Sequence, residues 1–386
     1  MGSAKRRHCV QLLHLLVPVV AAQGLRWGEP VQLGRGRYFA PALSALPNPA
    51  TGRVDALFAT EDRGILRSQD GGASWQMTGY NGTFPTGQRD AAVDRITARA
   101  PYHNFGDVEA RYQGHKAPFV DFWGAGDVTQ FEVSDADGSF RATSMAGANV
   151  TFTGAPRAMG CIATACCNCP FRTDSGQVAR LPDGSQVMTM NAFFDPAPGR
   201  SVHGDGSSVV AYRSNDADGL SWRYLAPVAL AEDWDGWSGE GPNESALSLL
   251  ADGSTLLAVV RLDAGDGGAG GKPYGKSFST DGGASWSPLA NMTAPTGGTL
   301  IGTAKPQLAL VGSQLVLIGG RPGNKVWVNA DGTGGDAWDE YALPAPAQQA
   351  STCYNGIVAV NTTNGIATFD SSGMYYAVPF TLTSDC

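Results

Sequence analysis

Four residues in the last part of the chain carry side chains suited to chemistry, and they follow one another as Glu244, Arg261, Arg321 and Tyr354. Asn243-Glu244-Ser245 leads through an Asp252-Gly253 turn to Val259-Val260-Arg261. Gly319-Gly320-Arg321-Pro322 closes the apolar run Leu315 to Ile318, and Cys353-Tyr354-Asn355-Gly356-Ile357 opens another. Arginine grips a planar carboxylate through two parallel N–H donors, a geometry that lysine lacks. A glutamate can take up a proton, and a phenol, with an ordinary pKa of about 10, stays neutral until a base removes its proton. Each residue also has a plainer use. Glu244 could cap a strand or pair with a cation, Arg261 could close a hairpin by a salt bridge, and Tyr354 could pack beside Cys353.

The elements that must position these residues announce themselves through a repeat. Ser68-Gln69-Asp70-Gly71-Gly72-Ala73-Ser74-Trp75 returns as Ser279-Thr280-Asp281-Gly282-Gly283-Ala284-Ser285-Trp286, and more loosely as Ser214-Asn215-Asp216 followed by Gly219 and Trp222. In such a unit the Asp carboxylate folds back on backbone N–H groups, Gly supplies a left-handed turn and Trp plugs the turn into an apolar layer. The pattern resembles the Asp box of the sialidase superfamily, and the resemblance implies an all-β fold, the six-bladed β-propeller. Asp boxes sit away from the active site in that family, so Asp70, Asp216 and Asp281 are expected to be structural.

Hairpins of matching phrasing recur at 176–190 around Asp183-Gly184, at 245–260 around Asp252-Gly253 and at 306–318 around Gly312, the last followed by a degraded Asp box from Asn329 to Trp338. Blades are expected near 35–80, 110–155, 170–225, 242–290, 303–342 and 353–382. Ring closure should pair N- and C-terminal strands, placing Tyr375 to Leu382 beside the first blade. A propeller gathers its innermost strands around one axis, so function is expected on the first strand of each blade and the loops that follow.

The same family places a glutamate, two arginines and a tyrosine in this order, and the resemblance assigns roles. Arg261 and Arg321 become grips on a substrate carboxylate, Tyr354 the nucleophile and Glu244 its base. A sialic acid bears its carboxylate on the anomeric carbon, which would repel an anionic nucleophile but not a neutral phenol. The N-terminal half departs from the pattern. Where the family opens with Tyr-Arg-Ile-Pro, this chain reads Tyr38-Phe39-Ala40-Pro41, so Phe39 replaces the first arginine and Arg37 is its nearest substitute. Ala59-Thr60-Glu61-Asp62-Arg63 resembles the family's acidic-then-arginine block, in which Arg63 shapes the pocket. The aspartate that serves as general acid a few residues later is absent from Gly64 to Ser68, leaving Asp62 as first candidate, with Glu61, Asp90 and Asp94 behind it.

Three functions follow as expectations. The first is a retaining exo-glycosidase of sialidase type. The second is a lectin-like propeller that binds a carboxylated glycan without turnover. The third is a propeller glycosidase acting on another polysaccharide through carboxylates such as Glu244 and Asp62. A glycan is the expected partner of a monomeric chain.

Composition excludes other classes. The net charge is −8, only 16% of residues are charged, and Lys5-Arg6-Arg7 is the one basic run, which argues against nucleic acid. With 51 glycines and 23 prolines, short strands and many turns are expected rather than long helices. The basic start, the apolar stretch Val10 to Val20 and the small residues at Ala21 and Ala22 have the layout of a signal peptide over 1–23, followed by a propeller domain over 24–386, a secreted product and no membrane segment after cleavage. The chain has 7 cysteines; loss of Cys9 with the leader leaves Cys161, Cys166, Cys167, Cys169, Cys353 and Cys386, an even set read as disulfides, with a metal site as the alternative for the 161–169 cluster. Sequons at Asn81, Asn149, Asn243, Asn291 and Asn361 suit a glycoprotein. No cofactor fingerprint is present. The Asp-rich turns at Asp135-Ala136-Asp137-Gly138 and Asp263-Ala264-Gly265-Asp266 are read as solvated turns in preference to calcium loops.

Overall fold

The computed structural model describes residues 23–35, 43–47, 54–61, 64–77, 109–112, 118–121, 130–133, 140–143, 149–153, 171–172, 177–193, 207–215, 221–233, 241–263, 273–293, 304–319, 323–345 and 355–384. Three of the sheets they build are four-stranded antiparallel meanders in which each strand pairs with the next. The sheets run Leu43–Pro47, Val54–Glu61, Gly64–Ser68, Gln76–Met77; then Gly241–Leu249, Leu256–Asp263, Tyr274–Ser279, Ala290–Asn291; then Gln307–Val311, Gln314–Gly319, Lys325–Asn329, Trp338–Ala342. The hairpins expected at Asp183-Gly184, Asp252-Gly253 and Gly312 lie where the sequence places them. Each turn is tightened by a left-handed glycine, with φ of +84° at Gly184, +70° at Gly253 and +63° at Gly312.

The last sheet closes the chain on itself. Asn355–Ala359, Asn364–Ser371 and Met374–Ser384 form its inner strands, and Gln23–Trp27 and Val31–Arg35 both pair antiparallel with Met374–Ser384. N- and C-terminal strands thus meet, as expected, but within the last blade. The first blade packs against that blade through side chains: Leu43, Leu57 and Ala59 share a core with Ile366 and Ala377. Gly72 fits there because a Cβ would lie 2.0 Å from Ile366 Cδ1.

Residues expected to form a blade over 110–155 are distributed differently. Glu109–Tyr112 and Pro118–Asp121 make a two-stranded ribbon, whereas Gln130–Val133, Phe140–Thr143 and Asn149–Thr153 extend the following sheet. The joint is a parallel pairing of Asn149–Thr153 with Ser221–Ala229, and the whole sheet reaches 8 strands. A four-residue strand presents only two side chains to each face, too few to cover a blade alone, so joining an existing edge is the favourable outcome.

Cores lie between blades rather than within them. Ala246, Leu257, Val259 and Tyr274 of one blade pack with Leu308, Leu315, Leu317 and Trp327 of the next. Val316, Ile318 and Val326 then pack with Ile357, Ala367 and Phe369 of the last. First strands touch in succession: Gly241–Leu249 meets Gln307–Val311, which meets Asn355–Ala359, which meets Leu43–Pro47. Each blade is therefore held in place by its neighbours through apolar burial worth about 1.5–3 kcal/mol per large side chain.

The Asp boxes lock the outer turns. Asp70 Oδ1 accepts from the Ser74 amide at 2.9 Å and the Ser68 hydroxyl at 2.8 Å, and Trp75 Nε1 donates to Gly72 O at 3.0 Å. The copy at Asp281 repeats these contacts with Ser285, Ser279 and Gly283 at 2.9, 2.8 and 3.1 Å. In the degraded box Asn329 replaces the serine and accepts from Gly334 N at 2.8 Å, while Trp338 Nε1 still finds Gly335 O at 2.8 Å. Asp216 of the third box lies outside the described residues.

Candidate functional site

Glu244 sits on the first strand of its blade, Gly241–Leu249, and Arg261 on the second, Leu256–Asp263. The ladder pairs Asn243 with Arg261 and Ser245 with Val260, so Glu244 is the extra residue of a bulge. A bulge re-aims the side chain it carries, and Glu244 meets the arginine beside it. Arg261 Nη1 donates to Glu244 Oε2 at 2.7 Å with both side chains buried, 5% and 4% exposed. The plainer uses foreseen for both residues, a cation pair and a hairpin salt bridge, are combined in one contact. A buried carboxylate and guanidinium are tolerated because each neutralises the other and carries hydrogen bonds.

A second donor comes from the neighbouring blade. The backbone N–H of Lys305 donates to the same Glu244 Oε2 at 2.8 Å. Lys305 precedes Pro306 and the strand Gln307–Val311, is 2% exposed, and has φ of +25°, a conformation that non-glycine residues seldom adopt. The carbonyl of the same peptide unit, Ala304 O, accepts from the hydroxyl of Tyr274, itself the cross-strand partner of Arg261. Gly319 lies over that hydroxyl, where a Cβ would be 2.1 Å from the tyrosine oxygen.

The deeper layer is also polar. Ser245 Oγ donates to Thr189 Oγ1 at 2.8 Å. Gln177 Oε1 accepts from Leu308 N at 3.0 Å and Leu247 N at 3.3 Å, and its Nε2 donates to Leu308 O at 2.7 Å. One side chain thus splices the first strands of two blades, those carrying Glu244 and following Lys305. Asn355, at the start of the last blade's first strand and 1% exposed, donates to Asn324 Oδ1 at 3.4 Å.

Of the residues singled out in the sequence, the structure brings Glu244 and Arg261 together. Tyr354, Arg321, Asp62, Arg63 and Arg37 lie outside the described residues, as do Phe39, Asp90, Asp94 and the six cysteines from Cys161 to Cys386. The side chain of Glu61 is likewise outside them. Asn355, Gln307 and Leu43 begin first strands, and Gly319 and Glu61 end second strands, the same end of the hairpin at which Glu244 and Arg261 stand. Tyr274, Lys305 and Gln177 were not singled out by residue type or spacing. Only Lys305, a lysine directly before a proline and an apolar strand, carries a local signal. The Asn243 sequon falls on a side chain 3% exposed, which closes it to glycosylation, while Asn291 and Asn361 are exposed.

No family model matches the chain and no curated protein matches it. Solved structures do resemble it across nearly its whole length. A protein of unknown function from Dyadobacter fermentans aligns with a TM-score of 0.53 at 15% identity, covering 93% of this chain and 100% of that one. The alpha-L-arabinanase of Penicillium chrysogenum, complexed with arabinobiose, aligns with a TM-score of 0.54 at 14% identity over 92% of this chain and 98% of that one. The alpha-L-arabinofuranosidase of Fusarium graminearum gives 0.52 at 12% identity over 92% and 97%. These likenesses establish the fold, an all-β propeller of antiparallel blades.

Proposed function

We propose that the protein is a glycoside hydrolase whose site lies at the axial mouth where Glu244 and Arg261 meet. The observation that carries this reading is the bulged, buried Glu244 carboxylate on an innermost strand, gripped by Arg261 and by an N–H from the next blade. The fold likeness to an arabinanase and an arabinofuranosidase supports it, because those proteins are named for cleaving glycosides. The complete ring would have six blades.

The leading substrate class is a terminal sialic or related acidic sugar, released with retention. Tyr354 Oη attacks the anomeric carbon as the bond to the leaving oxygen breaks, and Glu244 takes the phenolic proton. Water then attacks the same carbon, giving one proton to the Asp62 carboxylate left when the leaving oxygen was protonated, the tyrosyl–sugar bond breaks, and the proton on Glu244 returns to the phenolate. Asp62 is the first candidate to protonate the leaving oxygen. Arg261, Arg321, Arg63 and Arg37 are the cationic complement, with Arg261 shared between substrate and Glu244. The chain would act as a secreted monomeric glycoprotein with disulfides among its cysteines after loss of residues 1–23.

A second reading has its own observation. Arg261 is engaged on Glu244 and Phe39 stands in the first-arginine position, which leaves fewer cations for a substrate carboxylate and favours a neutral glycoside such as an arabinofuranoside. Release of an aryl group from an aryl sialoside and from an aryl arabinofuranoside by the purified chain separates the two. Turnover of the sialoside supports the first and turnover of the furanoside the second. Glycan binding without turnover of either points to a lectin, and neither binding nor turnover from folded protein overturns the proposal.

A further inference from the structure

The Ala304–Lys305 peptide is a single planar unit held at both ends. Its carbonyl accepts from Tyr274 Oη and its N–H donates to Glu244 Oε2 at 2.8 Å. Donation into an amide carbonyl draws electron density toward the oxygen and strengthens the N–H as a donor. Tyr274, 0% exposed, stands on the third strand of the blade that carries Glu244 and is linked to the carboxylate through a peptide of the neighbouring blade. The unusual φ of +25° at Lys305 accompanies the arrangement, a conformation that persists only where surrounding contacts over-determine it.

We propose that Tyr274 is a positioning residue for the reaction: through the Ala304–Lys305 peptide it orients and polarises the N–H that keeps the Glu244 carboxylate ready to accept a proton. This rests on the reading of Glu244 as the base. The other charged groups on the packed elements are committed or distant in register. Arg261 pairs with Glu244 itself, Lys276 Nζ donates to Asp336 Oδ1 at 2.6 Å, and Arg213 pairs with Asp183. Asp263 is two positions beyond Arg261 and pairs in the ladder with Gly241; Arg180 lies on the short strand Val178–Arg180; and Tyr212 packs edge-on to Tyr224. Lys305 enters through its backbone and a buried side chain. Tyr274 is the described side chain that addresses the donor peptide from its carbonyl end.

Removing the phenolic oxygen weakens a donor to the ionised carboxylate, which favours the protonated form and moves the acid limb of the rate profile to higher pH. With Tyr274→Phe the acid limb of kcat/KM on the aryl glycoside that the wild type turns over is expected to rise by about 0.3 to about 1 pH unit, with KM little changed. Gly319→Ala, whose Cβ would displace the same hydroxyl, should reproduce the shift. A parallel carbon-13 NMR titration of the Glu244 carboxyl, assigned with Glu244→Gln, reads the coupling without turnover. An upward-moved midpoint in folded Tyr274→Phe supports the coupling even if both aryl glycosides are inert and the assigned function fails. An unmoved midpoint or acid limb in a folded variant overturns it.

Discussion

Glu244 Oε2 and Arg261 Nη1 stand 2.7 Å apart across a hairpin whose ladder skips Glu244, so the bulge itself brings the two charges together. Without the extra residue, every later side chain on that strand would change face. The pair therefore depends on a local backbone irregularity.

Arg261→Met should destabilise the protein by about 3–5 kcal/mol, because it strands a buried carboxylate. The double variant Glu244→Gln, Arg261→Met removes both charges and is expected to recover a substantial part of that loss. Urea denaturation of the two variants decides the matter, and a double variant no more stable than the single one would refute the pairing energetics.

The outer turns carry a pH signature. Hydrogen bonds from the Ser74 hydroxyl, the Ser74 amide and the Ser68 hydroxyl hold Asp70 at about 2, below its ordinary 3.8. A folded-state value below the unfolded one means that its contribution is present above about pH 4 and is lost as pH falls toward 2. Melting temperatures of wild type and Asp70→Ala should differ most above pH 4 and converge near pH 2. A constant gap down to pH 2 would contradict the assignment.

Gln177 joins two first strands that do not otherwise share a ladder at that point. Gln177→Met leaves the amides of Leu247 and Leu308 and the carbonyl of Leu308 without this partner, at a cost of about 1–3 kcal/mol per buried group left unsatisfied. Amide exchange at Leu247 and Leu308 should accelerate while Leu257, within the same blade's ladder, stays protected. Unchanged exchange at both positions would show that the splice contributes nothing.

What the sequence made legible was local. An Asp box is closed by contacts between residues four apart or fewer, so Asp70 and Asp281 could be assigned to turns from their spacing alone. The Asp252-Gly253 hairpin likewise placed Glu244 and Arg261 on consecutive strands. It did not reveal that they pair, since that depends on a one-residue bulge with no signature in residue type. The link of Tyr274 and Lys305 to Glu244 was hidden for a stronger reason: it crosses between blades. The strands between 130 and 153 escaped because their short length made them borrow an edge that only the folded arrangement supplies. The terminal closure was read correctly as an event, but not the blade in which it occurs, since Gln23–Trp27 resembles any short strand.

The proposed role of Glu244 is that of base at a glycoside-cleaving site. The most direct measurement is aryl-glycoside turnover by wild type, Glu244→Gln and Tyr354→Phe side by side, with folding verified for each by circular dichroism. Loss of a positioned base or nucleophile should lower kcat by about 10²- to 10⁴-fold in each variant while a well-activated aryl substrate is still bound. Wild-type turnover abolished in both variants is the expected result. Undiminished turnover in folded Glu244→Gln would contradict the account.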